Sequence, residues 1–86
     1  MKFEIELSSR AYRFLKNIDK TIYSRIIKKF EGLSEDPFPP DAKRVTGRKE
    51  KTFRVRAGDY RILYVVYFNK ETILILNMDK RPKPYR

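Results

Sequence analysis

The stretch Thr52-Phe53-Arg54-Val55-Arg56-Ala57-Gly58-Asp59-Tyr60-Arg61-Ile62-Leu63-Tyr64-Val65-Val66-Tyr67-Phe68-Asn69 decides the fold. β-Branched and aromatic residues dominate on both sides of Gly58-Asp59 and nothing repeats at helical spacing. The pattern therefore predicts two strands, Thr52 to Ala57 and Tyr60 to Asn69, joined by a two-residue turn. Such a turn sets Ala57 opposite Tyr60, hence Arg56 opposite Arg61 and Arg54 opposite Leu63. In that register Phe53, Val55, Tyr60, Ile62, Tyr64 and Val66 form one apolar face, whereas a slip of one residue would mix Arg54 and Arg56 into it. The favoured register gathers Arg54, Arg56 and Arg61 on the other side of the sheet. Like charges directly opposed destabilise a sheet, and a sequence tolerates them most easily where an anion neutralises them.

Working outward, Thr72 to Met78 reads as a third strand after the turn Asn69-Lys70-Glu71. Upstream, Phe3, Ile5 and Leu7 alternate with Lys2, Glu4 and Glu6, the period of a strand with one buried face. Ser8 and Ser9 can cap a short helix on which Ala11, Phe14, Leu15 and Ile18 share a side, and Asp19 can cap a second carrying Ile22, Ile26, Phe30 and Leu33. Pro37 ends that helix by Asp36. Asp36 to Lys51 is polar, proline-containing and basic, a loop with room for a short strand at Lys43 to Val45. The expected fold is α+β: an N-terminal strand, an αα-hairpin laid on a sheet, then a three-stranded antiparallel meander, all in a single domain over 1–86.

Composition narrows the chemistry. A chain of 86 residues buries only about 60 per cent of the surface that its unfolded form exposes, so added stability from a partner is expected. With no Cys and no His, disulfides, zinc sites and Ser-His or Cys-His nucleophiles are excluded, and catalysis would have to run on Lys, Arg, Tyr, Asp or Glu. The longest apolar run, Ile62 to Phe68, falls far short of the roughly 20 residues that span a bilayer, and the N-terminus lacks a signal-peptide core. A cytoplasmic protein without a membrane partner is expected. Glu4 and Glu6, same-face carboxylates on one strand, read as plain solvation.

The charge is unevenly placed. The net of +10 comes from 21 Lys and Arg against 11 Asp and Glu. Residues 43–61 hold Lys43, Arg44, Arg48, Lys49, Lys51, Arg54, Arg56 and Arg61 against Glu50 and Asp59, a net of +6. Residues 79–86 hold Lys80, Arg81, Lys83 and Arg86 against Asp79, a net of +3, and the other 59 residues supply +1. A solvated surface interleaves the two signs, as residues 10–36 do, so this concentration points to a polyanion, and nucleic acid fits better than a membrane because the bases do not sit on a helix with a large apolar face. Lys43, Arg44, Arg48, Lys49, Lys51, Arg56, Lys80 and Lys83 are the expected RNA-binding set.

The run Phe53 to Tyr64, with its Gly58-Asp59-Tyr60-Arg61 turn, followed by Asp79-Lys80-Arg81 and Tyr85, resembles the RelE/ParE toxin superfamily, and in particular the RelE-like mRNA interferases of type II toxin–antitoxin systems. With the order of strand, two helices and sheet, the resemblance covers nearly the whole chain. It implies a RelE-like, microbial ribonuclease-type fold and a metal-independent endoribonuclease that cuts mRNA in the ribosomal A site by 2′-hydroxyl attack on the adjacent phosphate, inhibiting translation. It implies no cofactor, and as partners the ribosome, mRNA and a cognate acidic, RelB-like antitoxin. By position Arg54 matches a catalytic lysine, Arg61 and Arg81 match two phosphate-clamping arginines, and Tyr85 matches a tyrosine that stacks on or orients substrate. Planar guanidinium forks suit the charge of a phosphorane-like centre. Thr52 stands where well-known ribosome-dependent members have lysine, so Lys49 or Lys51 would have to reach in. Arg54 is a poor base, because a guanidinium keeps its proton at neutral pH, which leaves the general base unassigned. A ParE-like gyrase inhibitor and a non-catalytic basic RNA-binding module are the alternatives.

Overall fold

The computed structural model describes residues 2–80. Ser8 closes the first strand, β1 (Glu4–Leu7), and starts helix α1 (Ser9–Lys16) by accepting the Ala11 N–H on its hydroxyl at 3.0 Å. The same hydroxyl donates to the Leu76 carbonyl at 2.7 Å, so one side chain caps the helix and ties it to the sheet. Asp19 accepts from the Thr21 N–H and starts helix α2 (Lys20–Glu35), which ends at Asp36, before Pro37. The short strand β2 (Lys43–Val45) forms within the basic loop, followed by β3 (Thr52–Ala57), β4 (Tyr60–Tyr67), a 3-10 turn at Phe68–Lys70, and β5 (Thr72–Lys80). The last two strands each differ from expectation by two residues at their C-terminal ends, because Phe68 and Asn69 join the turn and β5 runs on to Lys80.

The sheet has five strands in the order β1-β5-β4-β3-β2. The expected antiparallel meander of β3, β4 and β5 is there, β2 adds to its edge, and β1 lies parallel to β5 with Ile5 beside Ile73 and Leu7 beside Ile75. A parallel pair needs a crossover, which the αα-hairpin supplies. The β3–β4 register is the one that the apolar face requires: Ala57 opposite Tyr60, Arg56 opposite Arg61, Arg54 opposite Leu63. Gly58 starts the turn at φ +64°, in the left-handed region that glycine enters without a Cβ penalty.

One face of the sheet packs on both helices. Ile26, Phe30 and Leu33 of α2 and Ala11 and Leu15 of α1 meet Val55, Ala57, Ile62, Tyr64, Ile73, Ile75 and Met78 in one cluster. Tyr64 is fully buried there, and its hydroxyl donates to the Pro37 carbonyl at 2.6 Å, closing the loop after α2 over the core. The other face is not uniformly charged. Leu63 and Val65, which alternate with the core residues of β4, are buried as well, and Leu63 lies directly beside Arg54 and one row from Arg56 and Arg61.

Candidate functional site

Strand pairing sets two cross-strand rows on the face turned away from the helices. Lys43, Arg54, Leu63 and Asn77 form one, and Arg56, Arg61 and Asp79 form the next, nearer the Gly58 turn. The structure thus brings together four of the predicted residues: Lys43, Arg54, Arg56 and Arg61. Between the rows a small cavity of about 170 Å³ is lined by Asp41, Lys43, Arg54, Val55 and Arg56. Arg54 is half-buried and Arg56 exposed, and neither has an acidic partner among the described ion pairs.

Arg61 is different. Its Nε donates to Asp79 Oδ1 at 3.3 Å and its Nη2 to Asp79 Oδ2 at 3.0 Å, a bidentate pair between side chains 18% and 41% exposed. The anion that makes opposed Arg56 and Arg61 tolerable is therefore, for Arg61, one of the chain's own. In the sequence Asp79 stands as the first residue of Asp79-Lys80-Arg81 and the one acid of a basic tail, with no role of its own. Its signal was positional: β5 pairs antiparallel with β4, and an acid near the end of β5 falls opposite a residue near the start of β4.

Asp41 is a second acid that the pattern did not single out. Its carboxylate accepts from Lys29 Nζ at 3.0 Å and from the Arg56 backbone N–H at 3.4 Å. Partial burial pushes this carboxyl up, but the Lys29 ammonium and the Arg56 N–H outweigh it and hold the group below its ordinary range. Asp41 thereby covers a backbone donor on β3 beyond the end of the short strand β2.

Several expected contacts lie elsewhere. Arg44 pairs with Phe53 and so belongs to the opposite side of the strand from Lys43. Arg48, Lys49 and Lys51 are exposed on the segment between β2 and β3. Lys80 pairs with Tyr60 and lines a groove of about 580 Å³ beside α1, with Arg10, Arg13, Phe14 and Asn17. Thr52 is buried and its hydroxyl donates to the Glu50 carbonyl, so it offers nothing to a substrate. Tyr67 donates to Glu50 Oε1 at 2.9 Å, and that bond, with slight burial and the nearby carboxylate, raises its ionisation above the ordinary phenol range. Arg81, Lys83 and Tyr85 lie outside the described residues. Among the described residues no group of His, Cys, Asp and Glu could hold a metal ion, and no helix is long and apolar enough to cross a membrane.

Comparison with known proteins agrees with this architecture. The family model for the ParE toxin of the type II toxin–antitoxin system parDE matches residues 5–83. A protein of Methanocaldococcus jannaschii named as a toxin, RelE1, is 32% identical over 89 residues, covering 100% of this chain and 98% of the relative. Among solved structures, the archaeal RelE–RelB complex of Pyrococcus horikoshii is similar with a TM-score of 0.82 at 25% identity, covering 98% of this chain and 100% of that one. The toxin–antitoxin complex RelBE2 of Mycobacterium tuberculosis follows with a TM-score of 0.79 at 28% identity, covering 94% and 93%. The isolated RelE toxin of Escherichia coli, at 18% identity and a TM-score of 0.76, shares the fold over 95% of this chain and 87% of its own. With a family model spanning nearly the whole length and a full-length relative above 30% identity, the chain belongs to the RelE/ParE family of toxins of type II toxin–antitoxin systems.

Proposed function

We propose that this toxin cuts mRNA in the ribosomal A site and so stops translation. The observation that carries the reading is the cluster of Lys43, Arg54, Arg56 and Arg61 on a single sheet face beside the buried side chain of Leu63. A nuclease without histidine or thiolate must hold a phosphate by fixed donors, and guanidinium forks mounted on paired strands are such donors, stiffer than the same groups on a loop. In this reading Arg54 and Arg61 grip the phosphate and Arg81 completes the clamp. Tyr85 stacks on the substrate. Lys43, Arg44, Arg48, Lys49, Lys51, Arg56, Lys80 and Lys83 supply the general attraction for RNA. An acidic antitoxin neutralises the same cluster when the toxin is held silent; that a partner of this kind exists is supported by the similar chains solved in complex with their antitoxins.

A second reading, inhibition of DNA gyrase, draws on the ParE description of the matching family model. Expression of the chain in a host lacking the antitoxin separates the readings. Cleavage within translated messages is the expected result. Gyrase-linked DNA breaks with intact messages would instead favour the ParE-like activity, and bound but uncut RNA a binding module without catalysis.

A further inference from the structure

The cutting reaction needs a group to take the proton of the attacking 2′-hydroxyl, and the guanidinium of Arg54 cannot do so at neutral pH. We propose that Asp79 is that general base, a catalytic residue held in place by Arg61; this rests on the RNA-cutting reading above. Asp79 is anchored where such a base belongs. It stands directly across from Arg61 on neighbouring strands, so the backbone ladder fixes their separation, and two hydrogen bonds fix the orientation of its carboxylate. Its side chain is 41% exposed, open to a substrate approaching over the arginines.

The ion pair does not use up Arg61. A guanidinium has five N–H donors, and Asp79 engages only two, one on Nε and one on Nη2. The remaining three, the pair on Nη1 and the second on Nη2, can bond a phosphate beside the carboxylate. A guanidinium bonded to both places the phosphate and the carboxylate as neighbours, which is the arrangement that in-line attack by a 2′-oxygen next to that phosphate requires.

Other acids on or beside the sheet are bound elsewhere or lie outside the Arg56–Arg61–Asp79 row. Asp41 is bound by Lys29 and the Arg56 N–H, and Glu50 accepts from Tyr67. Glu4 and Glu6 pair with Thr72 and Leu74, toward the opposite end of β5 from Asp79. Asp59 sits in the turn, outside the Arg56–Arg61–Asp79 row.

The step balances without a co-reactant other than water. The 2′-oxygen–phosphorus bond forms as the hydroxyl proton passes to an Asp79 oxygen. The phosphorus–O5′ bond breaks, and the 5′-oxygen takes a proton from solvent. Asp79 then returns its proton to water, leaving a 2′,3′-cyclic phosphate and a 5′-hydroxyl end with no net change in protons or electrons.

Single-turnover cleavage of ribosome-bound mRNA at saturating toxin tests this. Asp79→Asn keeps size and an oxygen acceptor for Arg61 but cannot take the proton. Its saturating rate should fall on the order of 10²–10⁴, with half-saturation unchanged or lower and the melting temperature kept within a few degrees. Asp79→Glu should cleave faster than Asp79→Asn, because it restores a carboxylate. Binding of an uncleavable substrate with a 2′-deoxy nucleotide at the cut should not weaken in Asp79→Asn. Cleavage by Asp79→Asn at or above the parental rate overturns the assignment and leaves Asp79 a counter-ion, while RNA cutting stands. An Asp79→Glu chain that folds yet is as slow as Asp79→Asn counts against it as well. A parent toxin that leaves mRNA intact overturns both this assignment and the RNA-cutting reading.

Discussion

Arg61 is held by a residue that is itself part of the site, so its removal has two effects. On the proposed reading, Arg61→Ala takes away a phosphate donor, and it leaves Asp79 without its hydrogen-bonding partner. We expect a loss of about 10²–10³ in single-turnover cleavage at saturating toxin, with a smaller change in binding. Lys43→Ala touches only the electrostatic attraction, so it should weaken association while the bound complex cuts at nearly the parental rate. Tyr64 tests a different force. Burial, then the Asp41 and Asp36 carboxylates, push its ionisation well above the ordinary value of 10.0. Above pH 10 the unfolded chain therefore loses the phenol proton while the folded chain keeps it, so the proton count favours the folded state less as pH rises and stability declines. Urea unfolding at pH 8 and pH 11 should show a fall between the two pH values that is larger in the parent than in Tyr64→Phe.

At the scale of elements, Ser8 joins strand, helix and sheet. Besides capping α1 and bonding the Leu76 carbonyl with its side chain, it donates its backbone N–H to Ile75, the last residue of β5 paired with β1. Ser8→Ala should cost about 1–2 kcal/mol in chemical unfolding, from the lost cap and the stranded carbonyl. Ser9→Ala, one position on, makes none of the described side-chain bonds and should stay within about 0.5 kcal/mol. The link from Lys29 through Asp41 to the Arg56 N–H does similar work on the other edge, joining α2 to β3 where β2 has already ended. The arginine-bearing strands are thus braced at one side by a helix and at the other by β5.

For the molecule as a whole, apolar burial and charge are divided between the two faces of one sheet. The helices satisfy the first face, and the second remains as a basic surface whose self-repulsion a polyanion or an acidic partner relieves. Ribosome or RNA affinity should fall steeply with added salt, with a log–log slope of a few units, because bound Lys and Arg displace counterions from phosphates. A flat salt series would mean that the basic face is not the contact surface. Coexpression with a cognate antitoxin should give a complex that survives purification in moderate salt and no longer cuts mRNA, with a higher melting temperature than the toxin alone.

The sequence by itself determined the local elements, the hairpin register and the sign of the open face. Alternation at Phe53 to Val66, the capping of Ser8 and Asp19, and the glycine turn are local facts, and a register with one apolar face has no competitor when a slip buries arginine. Arg54, Arg56 and Arg61 were legible for the same reason, and through the family resemblance. Tertiary structure alone decided what stands next to them. The parallel docking of β1 on β5 and the Asp41 brace join residues far apart in the chain, and no period or motif in the sequence encodes such distances; the antiparallel order of β4 and β5 brings Asp79 toward Arg61, but the register shift at Leu63/Tyr64 that makes them direct partners is decided in three dimensions. The burial of Leu63 and Val65 on the charged side was hidden for the same reason, since alternation assigns residues to a face but does not say what surrounds them there.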